Sequence, residues 1–281
     1  SDVMPYPSSR WRDLTPAQLG RYRDAWRAHL HPLLERFRPD VVHAHHLWIL
    51  SALARDLAPA TPLAIHVHAT GLRQMAQCPY LADEVRAGVS RADRLLVLTH
   101  EMARRVRDAL DVDADRIRVV GAGYRADLFR ASGERAPNGA ILYVGKYSRA
   151  KGLPWLLDAF ERVAARDAEA VLHVAGGGSG PEADALRSRM EALAPRVVLH
   201  GHLDQPALAE LRRRCRLLVL PSLYEGLPLV LVEAVASGLD AICTDLPAVR
   251  EDLAPHLGDA LARVALPRLQ GVDEPVVEDL P

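Results

Sequence analysis

Two carboxylates stand eight positions apart in the apolar segment Pro221-Ser-Leu-Tyr-Glu225-Gly-Leu-Pro228-Leu-Val-Leu-Val-Glu233. Pro228 suits a first helical position and Gly238 a helix stop, so Glu225 falls just before a helix and Glu233 inside it. The unpaired N–H groups at such a helix start favour an anion, and a phosphate suits the place. Taken singly, each carboxylate has a plainer reading. Glu225 complements the helix dipole, and Glu233 is the one solvated position of an amphipathic helix. The second chemical signal is cationic. Among 35 Lys plus Arg only two are lysines, Lys146 and Lys151, and both lie in the loop Gly145 to Gly152. An arginine-rich chain that uses lysine twice, five residues apart, points to a local task for those two charges.

A third signal is imidazole. Asp40-Val-Val-His43-Ala-His45-His46 runs from a strand into a histidine cluster, and a second strand ends in His66-Val-His68-Ala-Thr-Gly71. H-x-H-H has metal-ligand residue types, but no carboxylate or cysteine partner stands at a convincing spacing. The expectation is therefore imidazoles lining a cleft at the carboxyl end of a strand, with no metal.

The elements that must carry these groups alternate. Thr15-Pro16 reads as an N-cap and first helical position, opening a helix whose Leu19, Tyr22, Trp26, Leu30, Leu33, Leu34 and Phe37 share a face. Arginines fill the other face. A surface helix packed on its own domain is the preferred reading over one lying on a membrane. Strands follow at Asp40 onward, Leu63–Val67, Arg94–Leu98 and Arg116–Val120, with helices at Trp48–Leu57, Leu81–Ser90 and Glu101–Leu110. The stretch Gly71 to Pro79 reads as a loop. After the breaker-rich Ala131 to Gly139, strands are expected at Ile141–Val144, Val171–Ala175, Val197–Leu199, Leu217–Leu220 and Ala241–Thr244. Helices are expected at Leu153–Ala165, Glu182–Leu193, Pro206–Arg213 and Pro228–Ser237. Repeated βα alternation gives a parallel, doubly wound α/β sheet.

Composition sets the outer bounds. At 281 residues the chain has room for two domains, and a net charge of −1 argues against a general nucleic-acid binder. The three cysteines, Cys78, Cys215 and Cys243, are odd in number and scattered, which fits a reduced compartment without a disulfide framework. No apolar run is long enough for a membrane span, and Ser1 to Pro7 lack the features of a secretory signal. The expectation is a cytoplasmic protein, with peripheral contact at the inner face of the membrane left open. Oligomeric state is not readable.

The segment Pro221 to Gly238 resembles, nearly residue for residue, the E-x7-E signature of glycosyltransferase family 4. Those are retaining, nucleotide-sugar-dependent enzymes of the GT-B fold. The resemblance spans essentially Asp40 to Glu251. It implies two Rossmann-like doubly wound domains: a partial acceptor-side domain over 1–130 and a donor-binding domain over 131–281. It also implies roles. His68 meets the transferred sugar near the reacting carbon, and the 71–79 loop lines the acceptor side. Gly145, Lys146 and Lys151 belong to the loop that grips the donor diphosphate. The first position there is lysine, which keeps the charge of arginine and loses its bidentate fork. Glu225, with Gly226, meets hydroxyls of the sugar, and the N–H groups of Leu229 and Val230 meet the diphosphate. Glu233 takes the ribose, whose adjacent hydroxyls suit its two acceptor oxygens. Two further loops, Gly176 to Pro181 and His200 to Asp204, lie near the donor, the latter near the base.

The reaction so implied moves a sugar from a nucleoside diphosphate to an acceptor hydroxyl with retention, in glycan biosynthesis. Negative charge on the leaving diphosphate is met by the lysines and the helix start in place of a metal or cofactor. The acceptor is a small molecule, a glycan or a lipid-linked sugar. Two alternatives keep the fold: a nucleotide-sugar epimerase or a sugar phosphorylase, and a non-catalytic nucleotide-sugar-binding module. Before Asp40 the opening strand and glycine-rich loop of the family do not appear. The expectation is therefore a fragment that binds nucleotide without transferring sugar.

Overall fold

A computed structural model describes residues 8–131, 133, 140–271 and 274–276. Most of the linker expected over 131–139 lies outside the described residues. The chain forms two compact units, Ser1–Gly121 and Ala122–Pro281. The division thus falls earlier than the expected boundary after residue 130. Arg125 to Phe129 fold with the second unit, because Phe129 is buried with its ring 4.4 Å beneath the Arg212 guanidinium.

The first unit opens with α1 (Pro16–Phe37), then β1 (Val42–His45), α2 (Ile49–Leu57), β2 (Leu63–Val67), α3 (Ala69–Gln77), α4 (Pro79–Val89), β3 (Arg94–Val97), α5 (His100–Leu110) and β4 (Ile117–Val119). Thr15 caps α1 in a reciprocal box with Gln18, and Thr99 caps α5 by accepting from the Met102 N–H at 3.0 Å. Each such cap is worth about 1 kcal/mol. The four strands are parallel and sit in sequence order, β1-β2-β3-β4. Right-handed crossovers that always step the same way put their helices on one face of the sheet. That face holds the core: Ile65, Val67, Leu95 and Val97 pack under Ala52, Met75, Val85 and Met102. The alternate residues His43, His45 and His66 point to the other face, which is more open.

Two expectations for this unit change. The stretch read as a loop over 71–79 is largely α3, because Gly71 fits inside a helix pressed against Leu47; a Cβ there would lie 2.8 Å from the Leu47 Cβ. Along α1 only Leu19 is buried; Leu33 is exposed and Phe37 is 80 % exposed, so the helix packs through its first half only. Pro32 is accommodated within it. No described helix is long and apolar enough to cross a membrane.

The second unit comprises β5 (Ile141–Lys146), α6 (Leu153–Ala164), β6 (Leu172–Gly177), α7 (Pro181–Ala192), β7 (Val197–Gly201), α8 (Gln205–Arg213), β8 (Leu217–Leu220), α9 (Leu229–Ala236), β9 (Asp240–Thr244), α10 (Ala254–Leu257) and β10 (Leu261–Val264). Its six parallel strands run β10-β9-β8-β5-β6-β7. The chain starts at β5, winds outward to β7, then returns to the other side of β5 with β8. The winding direction therefore reverses between β5 and β8, and loops leaving their carboxyl ends part to form a crevice. Two apolar clusters fill the faces, one around Leu218, Leu231 and Cys243, the other around Tyr143, Leu157 and Val174. A short hairpin pairs Leu269–Gly271 with Glu274–Pro275.

Candidate active site

The switch point between β5 and β8 gathers most of the residues singled out in the sequence. Lys146 ends β5 and is exposed. Its carbonyl accepts from the buried Tyr143 hydroxyl at 2.7 Å, which fixes the strand end from below. Burial, with the Glu225 charge second, pushes the Tyr143 hydroxyl well above its ordinary range and keeps it a neutral donor. Gly145 pairs with Gly176 of β6, and the backbone of Gly176 has φ +127°. A side chain at 176 would overlap the Gly145 carbonyl, so the strand ends approach this closely only with glycine at 176, while a side chain at 145 would press on the Tyr143 ring.

Lys151 closes a single 3₁₀ turn and is followed by Gly152 at φ +71°. A Cβ on Gly152 would overlap the Pro221 carbonyl. Glycine here lets the lysine loop lie against the end of β8, and the Leu223 N–H donates to the Ala150 carbonyl at 3.0 Å to hold it. The result is an ion pair between residues 74 positions apart: Lys151 Nζ lies 2.7 Å from Glu225 Oε1, with side chains 28 % and 15 % exposed. Gly226 and Leu227 carry the chain on to α9. There the Leu229 N–H turns back onto the Leu227 carbonyl at 2.9 Å, while Val230 is half-buried in the first turn.

Glu233 sits one turn further along α9, and its partner is one the sequence did not reveal. Arg212, from α8, has a side chain 0 % exposed and donates to Glu233 Oε2 at 2.7 Å. Its Nε and Nη1 are buried without hydrogen-bond partners, and its guanidinium stacks over Phe129. Burial lowers the arginine pKa, opposed by the Glu233 carboxylate. Arg212 stands in the run Arg212-Arg-Arg-Cys, where nothing in the residue pattern separates a buried guanidinium from the exposed ones beside it. Its hold on Oε2 leaves Oε1 of Glu233 as the freer acceptor.

The two other donor-side loops are also placed. Gly180 at φ +89° precedes α7, whose Glu182 accepts from the Arg149 N–H at 2.8 Å, tying the glycine loop to the lysine loop. His200 lies in β7 with its Nε2 2.9 Å from Nδ1 of His173, and Asp204 caps α8 by accepting from the Ala207 N–H at 2.9 Å.

His68 belongs to the first unit, at the N-cap of α3. Its Nε2 shares a hydrogen bond with His45 Nδ1 at 3.1 Å, and its ring lies 4.6 to 5.5 Å from those of His46, His66 and His45. Burial, reinforced by those neighbouring imidazoles, lowers its pKa to about 4, so the ring is neutral at physiological pH. The three cysteines are buried; burial pushes the Cys215 thiol up to about 12 and Cys243 up to about 11, which makes both inert.

Comparison with known proteins matches the two units to two sequence families in turn. Residues 2–123 match "Glycosyl transferase 4-like domain" and residues 138–264 match "Glycosyl transferases group 1". The glycogen synthase of Mycobacterium tuberculosis is 30% identical over 227 residues, covering 76% of this chain and 54% of that protein. The D-inositol 3-phosphate glycosyltransferase of Mycobacterium avium is 30% identical over 224 residues, covering 71% of this chain and 51% of that protein. The chain thus spans about half the length of the relatives it matches. Among solved structures, a sucrose-phosphate synthase of Thermosynechococcus elongatus superposes with a TM-score of 0.70 at 20% identity, over 92% of this chain and 66% of that one. Anabaena HepE in complex with UDP and glucose superposes with a TM-score of 0.63 at 18% identity, over 85% of this chain and 67% of that one. With one glycosyltransferase family covering each unit, and the GT-B architecture of paired Rossmann-like sheets beneath them, the chain belongs to the GT-B glycosyltransferases of the family 4 type.

Proposed function

We propose that the second unit binds a nucleoside diphosphate sugar at the β5/β8 switch point, for transfer of the sugar to an acceptor hydroxyl with retention. The observation that carries this is the Lys151–Glu225 pair at 2.7 Å. A cation and a carboxylate lie side by side just before α9, which supports reading the lysine as the phosphate contact and the carboxylate as the sugar-hydroxyl contact. In this reading Lys146, Lys151 and the Val230 N–H take the diphosphate. Lys151 exchanges part of its contact with Glu225 for phosphate oxygens, which frees the carboxylate for sugar hydroxyls. The Leu229 N–H joins them when its turn onto Leu227 opens. Gly145 and Gly226 keep the backbone close to the ligand, and Glu233 accepts from the ribose through Oε1 while Arg212 fixes Oε2.

The chemical step breaks the bond between the anomeric carbon and the diphosphate oxygen and forms one to the acceptor oxygen, whose proton passes to the leaving diphosphate. Positive charge at the leaving oxygens stabilises the charge that develops there. Two charge-assisted contacts at about 1.5–3 kcal/mol each are enough to matter. UDP is the first nucleotide to test, since HepE was crystallised with UDP and glucose. The relatives' names span a polysaccharide, an inositol phosphate and a diphosphopolyprenol acceptor, so the proposal commits to the donor side.

The test is calorimetry of UDP, UDP-glucose and GDP-mannose against the chain and its Glu233→Gln variant. Replacing one acceptor oxygen by an amide donor facing the ribose should weaken nucleoside diphosphate binding in a folded protein. Unchanged affinity in that variant would remove the ribose assignment.

A further inference from the structure

The more open face of the first sheet carries a group that the donor chemistry does not use. His43 and His45 alternate along β1, and the parallel register sets His66 of β2 directly beside His45. One ligand nitrogen from each of these three imidazoles lies within 4.8 Å of the others. The sequence hides this. His43 and His45 are neighbours in the chain, but His66 is brought in only by the strand register, so no metal-ligand spacing appears along the chain.

Three further observations bear on what this cluster is for. The Nε2 of His66 is buried and has no hydrogen-bond partner. A buried orphan polar atom carries a desolvation cost, and a ligand that it binds removes that cost. His45 has its Nδ1 taken by His68 at 3.1 Å, which orients the ring and leaves Nε2 as the coordinating atom. Metal-bound histidines are held by such an outer partner on the second ring nitrogen. Finally, the rings approach without a carboxylate among them: the centroids of His43 and His45 are 4.6 Å apart, and those of His45 and His66 are 5.4 Å apart. A cation shared by the three rings would add an attraction that neutral imidazoles do not give one another.

We propose that His43, His45 and His66 form a three-imidazole site for a borderline-soft divalent ion of the zinc class. Zinc takes imidazole nitrogens at about 2.0–2.1 Å in a tetrahedron, which sets neighbouring nitrogens about 3.3 Å apart. The nitrogens lie within 4.8 Å of one another, so each pair closes by at most about 1.5 Å, a movement of the size that χ adjustment supplies, most freely at the exposed His43. Calcium and magnesium are excluded by chemistry, since both require oxygen ligands. Three neutral nitrogen ligands leave the fourth position to water, so the bound ion keeps one exchangeable site. The three ligands lie wholly in the first unit and none of them is assigned to the donor; either reading stands if the other fails.

The experiment is metal titration of the whole chain after dialysis against a chelator. Zinc binding is followed by calorimetry and by the thermal midpoint, and cobalt binding by the visible absorption that tetrahedral coordination intensifies. The proposal expects one zinc per chain, a raised midpoint, and a tetrahedral cobalt spectrum that zinc abolishes. His43→Ala, at an exposed position that leaves the fold undisturbed, should lose the cobalt spectrum and weaken zinc binding at least tenfold. His66→Asn should do the same, and His29→Ala on α1 should do neither. Absence of zinc uptake by the unaltered chain overturns the site. So does uptake that His43→Ala leaves unchanged, which would place the ion elsewhere. If His66→Asn does not fold, the exposed His43→Ala variant decides alone.

Discussion

At the scale of the residue, the proposed donor site is a set of carboxylates held by cations. Glu225 is held by Lys151 and Glu233 by Arg212, each at 2.7 Å. Arg212 is the residue whose removal costs most. A buried ion pair that loses one partner leaves an uncompensated charge, at about 3–5 kcal/mol. Arg212→Ala should therefore lower the thermal midpoint sharply and weaken nucleotide binding with it. Glu233→Gln keeps an oxygen for the guanidinium and should cost less stability than affinity. Equal stability of Arg212→Ala and the unaltered chain would show that the pair is not a support. The two glutamates and two lysines were legible because their types are rare in their settings: acids in an apolar run, lysines in an arginine-rich chain. Arg212 was not legible, since only tertiary burial separates it from Arg213 and Arg214. His66 was hidden for a different reason, because its partners stand on the neighbouring strand.

At the scale of the element, the site depends on where glycine lets backbones meet. Gly152 combines φ +71° with direct contact on the Pro221 carbonyl, whereas a Cβ at Gly177 meets nothing within 4 Å. Gly152→Ala should cost at least about 1–3 kcal/mol, and should move Lys151 away from Glu225. Gly177→Ala should leave stability and binding near those of the unaltered chain, and urea titration of the two variants checks the contrast. A second glycine works in the opposite direction. Gly20 lies inside α1, where an added Cβ would meet nothing within 4 Å, so Gly20→Ala should stabilise the first unit by about 0.5–1 kcal/mol. Most strands and helices were readable from periodicity and from Pro and Gly punctuation. α3 was not, because Gly71 reads as a breaker unless Leu47 is known to press on it. The second half of α1 kept its apolar face in sequence but found no core to pack on, and the edge strand β10 gave too short a pattern to separate from coil.

At the scale of the whole molecule, two units of unequal sheet size carry the two proposed sites, and pH acts on the second through half-buried imidazoles. In the second unit His173 and His200 share a hydrogen bond at 2.9 Å. Burial lowers both from the ordinary 6.5, with His200 and Arg214 adding to the effect on His173, and Arg214 to that on His200. The folded state therefore stays neutral where the unfolded chain takes up protons. Stability from this pair is fully present above the unfolded value of 6.5 and falls as pH drops below it. In chelator, the thermal midpoint should fall between about pH 7 and about pH 5, and His200→Gln should flatten that slope. An unchanged slope would remove the pair from the account.

The central claim, that the β5/β8 switch point of the second unit binds a nucleoside diphosphate through Lys151 without a metal, is tested most directly by one titration. UDP is added to the whole chain in the presence of excess chelator, and the binding heat is compared with that of Lys151→Ala. One charge-assisted contact of about 1.5–3 kcal/mol corresponds to roughly a ten- to hundredfold loss of affinity. The account predicts saturable binding in chelator and a loss of that size in Lys151→Ala. Binding that appears only when a divalent ion is restored, or that Lys151→Ala leaves unchanged, would contradict it.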